Sequence, residues 1–379
     1  MPTTKVVVNL NDGTSYDVRI GTGILDALGT HLTALPALTE TGRIALVTDS
    51  NVGPLYRPRA KAALMGSGFT VSEITLPAGE ATKSPEVLAE LWQAFAQLKL
   101  SRSDAVVALG GGVVGDVAGL AAATYMRGIP VVQVPTTLLA AVDASVGGKT
   151  AVNLPQGKNL VGAFHQPAYV SCDLYTLASL PPEEWTNGLA EVAKTALITD
   201  DESLFWLESH AETLRTKACV VDDTATAMEM IARAVVAKAD VVGQDPNETK
   251  GLRVALNYGH TLAHALEKAL GPERISHGRA VACGMRLAGA LSVELAGLDP
   301  AIAEAQNTLL DELGLNLELL EVSVADLISA MRLDKKNARG DIRMVLLEDV
   351  GRIRVQAVPE KTIAAAIMKM GETAGDSCC

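Results

Sequence analysis

Three histidines stand close together in the second half of the sequence, among six in 379 residues. His260 and His264 belong to the segment Asn257–His264, and His277 follows after a short loop. Residues four apart share one face of a helix, so the imidazoles of the first pair can bind the same ion. Imidazole nitrogens suit zinc. The cluster predicts a divalent metal site, and spacing alone favours His260 and His264 as the ligand pair.

A carboxylate that can complete this site lies in the apolar segment Ala190–Lys194. Glu191 and Lys194 are three residues apart and share a helix face. A catalytic zinc has three protein ligands and keeps one position open for substrate, so Glu191 fits as a further ligand. The alternative is a buried ion pair between Glu191 and Lys194 with a purely structural role. Without the histidines, that alternative would be the preferred interpretation.

A glycine-rich segment, Gly110–Asp116, follows an apolar run that predicts a strand and opens a predicted helix. Gly110, Gly112 and Gly115 match the GxGxxG spacing, in which backbone N–H groups and the helix dipole hold a pyrophosphate. The acidic residue expected about 20 positions later is missing around Val131–Pro135. The segment is therefore a dinucleotide loop of another kind or only a tight turn between strand and helix.

Two lysines lie on glycine-flanked loops, Lys149 in Ser145–Thr150 and Lys158 in Gly157–Asn159. A Walker phosphate loop is excluded for the first, because Asp143 stands where that motif needs its first glycine. Lysines on such loops suit the binding of phosphate or carboxylate. Solvated surface loops are the alternative interpretation.

The elements that must position these residues differ along the chain. Up to Leu180 strands alternate with helices, which predicts a parallel sheet covered on both faces. After Pro182 helical periodicity dominates. We predict an α/β domain over residues 1–180 and a mainly α-helical domain over residues 181–379. The predicted strands and helix of the first part are Lys5–Asn9, Tyr16–Ile20, Arg43–Thr48, Ser84–Leu100, Ala105–Leu109 and Val131–Val134. The second part has predicted helices at Glu183–Ser209, Thr224–Gly243, Thr261–Leu270, Gly278–Ala296, Ala301–Leu313 and Thr362–Met370, and a hairpin of Ile342–Leu347 with Arg352–Val358.

Composition narrows the class of protein. The chain has 32 basic and 44 acidic residues, a net charge of −12 and no basic run, which disfavours a nucleic-acid binder. A hydrophobic content of 48% excludes a disordered chain. The five cysteines are odd in number and form no paired metal motif, which disfavours a disulfide framework. With no signal-peptide pattern and no long apolar run, we expect a soluble, cytoplasmic protein without a membrane partner.

Taken together, these segments resemble the sugar phosphate cyclase family, and within it the dehydroquinate synthases most closely. The resemblance runs over nearly the whole chain. It implies an α/β N-terminal domain that binds NAD through its parallel sheet, and a helical C-terminal domain that binds metal and substrate. The motifs that carry it are Pro77–Ser84, Gly110–Asp116, Ala123–Gly128, Val134–Leu139, Val142–Asp143, Gly147–Thr150, Gly157–Asn159, Ala190–Lys194, Arg253–Thr261 and Asp334–Lys336.

The resemblance also implies the cofactors. It assigns zinc, or cobalt, to Glu191, His260 and His277, and it places His264 beside the substrate, unlike the pair that spacing favours. It implies NAD as the second cofactor, with Asp49 supplying the acid that is missing after the glycine-rich segment. The implied NAD-binding residues are Asp49, Asn51, Glu80, Lys83, Gly111, Gly112, Val113, Asp116, Thr136, Thr137, Lys149 and Lys158.

The implied substrate is 3-deoxy-D-arabino-heptulosonate 7-phosphate. It would be oxidised transiently by NAD, lose phosphate, be reduced again and close its ring by an aldol step, with zinc as the Lewis acid. Arg127 is implied to reach the phosphate of a neighbouring subunit, which implies a homodimer. The implied catalytic residues are Asp143, Lys149, Lys194 and His264. The implied substrate contacts are Arg127, Lys158, Asn159, Arg253, Asn257 and one of Lys335 and Lys336.

Three alternatives stay open at the level of sequence. Arg279 and the pair Leu262–Ala263 depart from the usual dehydroquinate synthase pattern, which keeps the amino-dehydroquinate and deoxy-scyllo-inosose synthases in view. Valiolone-type cyclases alter the positions of Asn257 and His264, and both residues are kept here. A metal-dependent polyol dehydrogenase would release NADH at each turnover, whereas a cyclase would not. A catalytically silent binding protein on the same fold is the third alternative.

Overall fold

The computed structural model describes residues 2–38, 40–271, 273–316, 322–332 and 342–376. The chain forms two compact units, the first of Met1–Glu184 with Lys217–Thr249 and the second of Trp185–Thr216 with Lys250–Cys379. The sequence predicts a single domain boundary near Leu180. In the structure the first segment of the first unit ends at Glu184, and Lys217–Thr249 also belongs to that unit. Among the described residues, no helix has the length and apolar character needed to span a membrane.

The first unit is built on a seven-stranded sheet. The strands described in this unit are β1 (Thr3–Asn9), β2 (Ser15–Gly21), β3 (Arg43–Asp49), β4 (Thr70–Leu76), β5 (Ala105–Gly110), β6 (Val131–Pro135), β7 (Lys149–Leu154), β8 (Gly157–Phe164) and β9 (Tyr169–Asp173). The sheet has the order β1-β2-β9-β6-β5-β3-β4 and is parallel except for the antiparallel β1–β2 hairpin. The remaining strands, β7 and β8, pair with each other. The predicted parallel sheet is confirmed, as are the predicted strands Lys5–Asn9 and Tyr16–Ile20, which form the β1–β2 hairpin.

Strand β5 shows how the sheet is covered on both faces. All six of its residues are buried. Val106 and Ala108 pack in one apolar cluster, and Val107 and Leu109 pack in another on the opposite face. A strand that is buried on both faces has a continuous run of apolar residues instead of an alternating pattern. The apolar run in the sequence therefore predicted β5. The helices of this unit are α1 (Leu28–Thr33), α2 (Gly53–Gly66), α3 (Pro85–Gln97), α4 (Gly112–Thr124), α5 (Leu174–Leu177), α8 (Cys219–Asp222) and α9 (Thr224–Gln244).

The second unit is mainly helical, as predicted. Its helices are α6 (Pro182–Thr199), which starts three residues before the unit does, α7 (Asp201–Leu214), α10 (His260–Leu270), α11 (His277–Leu295), α12 (Pro300–Glu312), α13 (Val324–Arg332) and α14 (Glu360–Asp376). The predicted hairpin is confirmed as β10 (Ile342–Asp349) paired with β11 (Arg352–Val358). The sequence did not predict α13.

The single helix predicted over Glu183–Ser209 is wrong. The structure has two helices, because α6 ends at Thr199 and α7 begins at Asp201. The Oδ1 atom of Asp200 accepts a hydrogen bond from the N–H of Ser203 at 2.7 Å, and its backbone is extended. An aspartate with an extended backbone cannot continue the preceding helix, and its side chain caps the following helix instead. The hydrophobic periodicity runs across this break, so the pattern predicts one helix where there are two.

Helices α10 and α11 touch backbone to backbone at two glycines. A Cβ atom on Gly284 would lie 1.8 Å from the carbonyl oxygen of Gly259. Gly259 itself has φ +79°, and a Cβ atom there would lie 2.8 Å from Cγ of Met285. Both positions therefore require glycine, and Gly259 directly precedes His260, the first residue of α10.

We expect Gly284→Ala to lower the free energy of unfolding by about 3 kcal/mol, because the added methyl group must push the two helices apart. Gly66→Ala is the matched control, since a Cβ atom at this helical glycine meets nothing within 4 Å. Urea unfolding of both variants measures the difference. Equal stability of the two would contradict the close helix contact.

Candidate functional site

The residues predicted to bind a metal come from three helices of the second unit. Glu191 lies within α6, and His260 and His277 are the first residues of α10 and α11. Their ligand atoms all lie within 4.8 Å of one another. The Oε1 atom of Glu191 is 3.5 Å from Nε2 of His260 and 3.4 Å from Nε2 of His277. The folded chain thus brings together two imidazoles and one carboxylate.

The chemistry of this group fits a divalent metal. Only 2% of the Glu191 side chain is exposed, and its Oε1 atom is a buried oxygen that no hydrogen bond satisfies. Such an oxygen costs free energy unless a partner compensates it. Two imidazole nitrogens and one carboxylate oxygen are also the donor set of many catalytic zinc sites. An ion held by all three residues would satisfy the buried oxygen.

The charges of the three residues support the same reading. Burial would raise the pKa of Glu191, but Lys194 and the two histidines hold it well below its usual value. Burial lowers the pKa of His260 to about 3. Burial would also lower the pKa of His277, but Glu191 and Glu267 raise it to about 10. The raised pKa favours a proton on His277 that balances the carboxylate, and a metal bound by these residues would have to displace that proton.

Two further contacts orient the imidazoles. Nδ1 of His277 is 3.4 Å from Oε1 of Glu267, and Nδ1 of His260 is 3.1 Å from the carbonyl oxygen of Tyr258. Both contacts leave Nε2 directed at Glu191, as outer partners of metal-bound histidines do. Sequence reasoning missed Glu267, although it lies seven residues after His260 and hence on the same face of α10.

His264 is not part of this group. Its ring centroid is 5.5 Å from that of His260, and its side chain is exposed. Among the described residues, the group with metal-ligand spacing contains His277 and not His264. The structure therefore favours the ligand set that the resemblance implies over the pair that spacing favours, and the metal-binding role of these residues stays a prediction.

Buried cations accompany the group in the second unit. Lys194 is 2% exposed and forms an ion pair with Glu191. Arg253 is 1% exposed and lies in the short helical turn Leu252–Asn257. At the end of this turn, the side-chain amide of Asn257 donates to the carbonyl oxygen of Val254 at 3.2 Å. Buried cations of this kind attract anionic ligands strongly. Two further predicted substrate contacts, Lys335 and Lys336, lie outside the described residues.

Several of the predicted nucleotide-binding residues lie where neighbouring parallel strands of the seven-stranded sheet end. Asp49 ends β3, the glycine-rich segment follows β5, and Thr136 and Thr137 follow β6. These strands are parallel neighbours, so their carboxyl ends share an edge, where ligands of open α/β sheets bind. Oδ1 of Asp49 accepts from the N–H groups of Asn51 and Val52, both at 2.8 Å.

The glycine-rich segment has the form of an anion cradle. Gly111 precedes α4, which begins at Gly112 and Val113. A Cβ atom on Gly111 would lie 2.9 Å from Cγ2 of Thr137. The free N–H groups of the first turn of α4 can then face a pyrophosphate without an intervening side chain. This geometry fits the pyrophosphate of NAD.

A polar cluster lies beside this cradle. Lys83 is only 7% exposed, and its ammonium group lies 2.7 Å from Oδ2 of Asp116 and 2.6 Å from Oδ1 of Asn159. Burial raises the pKa of Asp116, although Lys83 opposes that effect. Glu80 lies at the outer end of the cluster, 4.0 Å from Lys83. The structure thus joins three residues predicted for NAD with one predicted for substrate.

The two lysines that the sequence places on loops lie in the paired strands β7 and β8 instead. Lys149 is exposed and its ammonium group lies 3.0 Å from Oε2 of Glu248. Lys158, the second residue of β8, is also exposed. Asp143 lies in a single π-helical turn, Ala140–Ala144, and its Oδ1 atom is 2.6 Å from the buried ammonium group of Lys238. Sequence reasoning missed Lys238, for which the available signal was a charge within the apolar part of α9.

The turn that carries Arg127 is strained. Met126 and Arg127 have φ values of +52° and +67°, which side-chain-bearing residues rarely adopt. The Nε2 atom of His165 lies 2.9 Å from the carbonyl oxygen of Ile129, and the His165 N–H donates to the carbonyl oxygen of Gly148 at 2.7 Å. His165, to which the sequence assigned no role, therefore ties the Arg127 turn to the loop before Lys149.

Comparison with known sequences gives a consistent result. The chain matches the families described as 3-dehydroquinate synthase N-terminal, over residues 73–187, and 3-dehydroquinate synthase C-terminal, over residues 188–337. A 3-dehydroquinate synthase of Symbiobacterium thermophilum is 46% identical over 342 residues, covering 90% of this chain and 93% of that protein. A 3-dehydroquinate synthase of Bordetella pertussis is 44% identical over 362 residues, covering 96% of this chain and 98% of that protein.

Solved structures with the same fold agree with the sequence matches. A 2-deoxy-scyllo-inosose synthase complexed with carbaglucose-6-phosphate, NAD+ and Co2+ has a TM-score of 0.85 at 28% identity, covering 97% of this chain and 99% of that one. The 2-epi-5-epi-valiolone synthase of Streptomyces hygroscopicus, with NAD+ and Zn2+ bound, has a TM-score of 0.84 at 30% identity, covering 95% of this chain and 98% of that one. Family models match residues 73–337, and relatives above 40% identity cover at least 90% of both chains, so the chain belongs to the 3-dehydroquinate synthase family.

Proposed function

We propose that the chain is a lyase that converts 3-deoxy-D-arabino-heptulosonate 7-phosphate into 3-dehydroquinate and phosphate. The conversion proceeds through transient oxidation, phosphate elimination, re-reduction and aldol closure, and it belongs to aromatic amino-acid biosynthesis. The relatives named 3-dehydroquinate synthase support this substrate. The observation that carries the proposal is the buried group of Glu191, His260 and His277, whose donor set suits a metal that polarises an oxygen.

The proposed cofactors are NAD and zinc or cobalt, which the related cyclases bind. When bound, NAD accepts and returns a hydride, and the metal polarises the oxygen of the carbon that is oxidised. Glu191, His260 and His277 would hold the metal. The residues at the carboxyl edge of the sheet, from Asp49 to the threonines after β6, would hold NAD.

The cations of the chain would recognise the two anionic groups of the substrate. Lys194 and Arg253 are buried, so their attraction for phosphate or carboxylate is weakly screened. Lys149 and Lys158 contribute exposed ammonium groups on the paired strands β7 and β8. Asn159, Asn257 and one lysine of the Lys335–Lys336 pair complete the proposed substrate contacts.

Asp143 and His264 are the proposed groups for proton handling. The ammonium group of Lys238 contacts both Oδ1 and the carbonyl oxygen of Asp143, at 2.6 Å each, and so fixes the direction of the carboxylate. The imidazole of His264 is exposed on α10. A fixed carboxylate and an accessible imidazole are suited to accept and return protons.

Product analysis tests the proposed function directly. Purified protein with NAD, zinc and the heptulosonate phosphate should form dehydroquinate and release phosphate without net accumulation of NADH, as followed by NMR and absorbance at 340 nm. Turnover of another sugar phosphate instead would assign the chain to a sister cyclase, as the scyllo-inosose and valiolone synthase neighbours suggest. Accumulating NADH would indicate a polyol dehydrogenase. Binding of NAD without turnover of any substrate would indicate a silent binding protein.

We also propose that the enzyme is a cytoplasmic homodimer in which Arg127 serves the neighbouring subunit. The exposed, strained turn around Arg127 supports an arginine held away from its own chain. Closed two-fold dimers are the commonest assemblies of soluble proteins.

Subunit complementation tests the role of Arg127. Arg127→Ala and Lys149→Ala should each be inactive alone, whereas mixed dimers regain one intact site. With random exchange, half the dimers are mixed, so the mixture should recover about a quarter of wild-type turnover. The measurement is turnover after co-refolding or co-expression. Activity no greater than the sum of the separate variants would contradict an arginine that acts across subunits.

A further inference from the structure

Asn153 occupies the point where strands β7 and β8 lose register. Val152 pairs with Val161, and Leu154 pairs with Gly157, which leaves Asn153 out of the regular pairing. Irregularities of this kind redirect a side chain and are over-represented next to active sites. Asn153 is not among the residues predicted to bind NAD, metal or substrate or to act in catalysis.

The backbone N–H and both polar groups of the Asn153 side chain form hydrogen bonds. Its backbone N–H donates to the carbonyl oxygen of Lys83 at 2.8 Å. Its side-chain amide donates to Oε1 of Glu80 at 2.7 Å, and its Oδ1 atom accepts from the N–H of Asn159 at 2.8 Å. One residue therefore bridges the turn of Glu80 and Lys83 to the turn that carries Asn159.

The position of Asn159 depends on these contacts. Asn159 has φ +55°, in the left-handed region that costs free energy for a residue with a side chain. Its backbone N–H is held by Asn153 and its Oδ1 atom by the ammonium group of Lys83. Lys83 in turn contacts Asp116. The bonds connect residues that the proposed function assigns to NAD with one that it assigns to the sugar phosphate.

We propose that Asn153 is a positioning residue that sets the Glu80–Lys83 turn for NAD and the Asn159 turn for the sugar phosphate. The inference rests on the proposed function for the identity of both ligands. The two bonds of the side chain have opposite polarity, since the amide donates to Glu80 and the oxygen accepts from Asn159. Substitutions can therefore separate them.

The first test compares two replacements of Asn153 by titrating NAD in the absence of substrate and then measuring KM for the heptulosonate phosphate. Asn153→Ala removes both bonds and should raise the NAD Kd and the KM about tenfold each. Asn153→Asp keeps the acceptor for Asn159 but sets a carboxylate against Glu80. It should raise the NAD Kd at least about tenfold and leave KM within about threefold of wild type.

A rescue experiment separates positioning from a general loss of stability. In the double variant Glu80→Gln with Asn153→Asp, an amide faces a carboxylate again, with donor and acceptor exchanged. The double variant should therefore have an NAD Kd no more than about twofold above that of the single variant Glu80→Gln. Thr41→Val is the control, because it removes a 2.7 Å hydrogen bond to the carbonyl oxygen of Ser103 at the opposite edge of the sheet. It should leave the NAD Kd and KM unchanged.

The outcomes distinguish this inference from the proposed function. The positioning role would be overturned by an NAD Kd for Asn153→Ala within twofold of the wild-type value. It would also be overturned if Asn153→Asp raised the NAD Kd by the same factor with and without Glu80→Gln. A wild-type protein that binds NAD but forms no dehydroquinate would refute the proposed substrate and leave the NAD measurements decisive for Asn153. A wild-type protein that does not bind NAD would overturn both.

Discussion

Replacing Glu191 by glutamine is expected to remove the metal and to lower turnover at least about a thousandfold. The substitution keeps the size of the side chain but removes the negative charge that two imidazole nitrogens face at 3.4 and 3.5 Å. His277→Ala should have the same effect on metal content. Metal analysis after gel filtration should find about one ion per chain in the wild type and less than a tenth of that in either variant.

His264→Ala is the matched control for metal content. Its exposed imidazole lies on the same helix as His260 but outside the group with ligand spacing. The variant should therefore keep its metal even though its turnover falls. Loss of metal from His264→Ala, together with retention by His277→Ala, would instead restore the ligand pair that helical spacing favours. Circular dichroism of each variant separates metal loss from unfolding.

Lys149→Ala should lower kcat about a hundred- to thousandfold while the protein stays folded. The ammonium group is one of the cations assigned to an anionic group of the substrate, and alanine removes its charge. Its ion pair with Glu248 is at the surface, and pairs of that kind add less than about 1 kcal/mol to stability. Steady-state kinetics and thermal unfolding measure the two effects separately.

Lys5→Ala provides the control for Lys149→Ala. Its side chain is 51% exposed, against 49% for Lys149, and it also forms one ion pair, with Asp17. Both variants should show nearly the same melting temperature, but Lys5→Ala should keep wild-type kinetics. Near-wild-type turnover of Lys149→Ala would refute its assignment to the substrate.

The choice of metal ligands shows where sequence reasoning reaches its limit. His260 and His264 are related by the local geometry of one helix, which spacing describes correctly. His277 joins the group because α11 packs against α10, and that packing depends on the contact between Gly259 and Gly284. In the sequence this tertiary contact corresponds only to two glycines far apart in the chain, and nothing in the local pattern indicates that they touch. The resemblance to a family supplied what spacing could not.

The strands of the sheet were easier to predict than the polar contacts of the site. Strand β5 is buried at every residue, so its apolar run is unambiguous. Strand β8 is exposed at most of its residues, and it was interpreted as a loop. Lys238 and Asn153 were missed because their partners lie 95 and 73 residues away in the chain. Contacts over such separations are set by topology, which local patterns do not contain.

The π-helical turn at Ala140–Ala144 gives the chain a tolerance of one residue just before Asp143. Such a turn holds one residue more than an α-helical turn. Deleting Ala141 would remove that extra residue and let the segment close as an α-helical turn, with the residues on either side kept nearly in phase. Asp143 would then keep nearly its direction towards Lys238. A single-residue deletion here should therefore be far less damaging than one within a regular α-helix such as α9, where it would rotate the following side chains by about 100°.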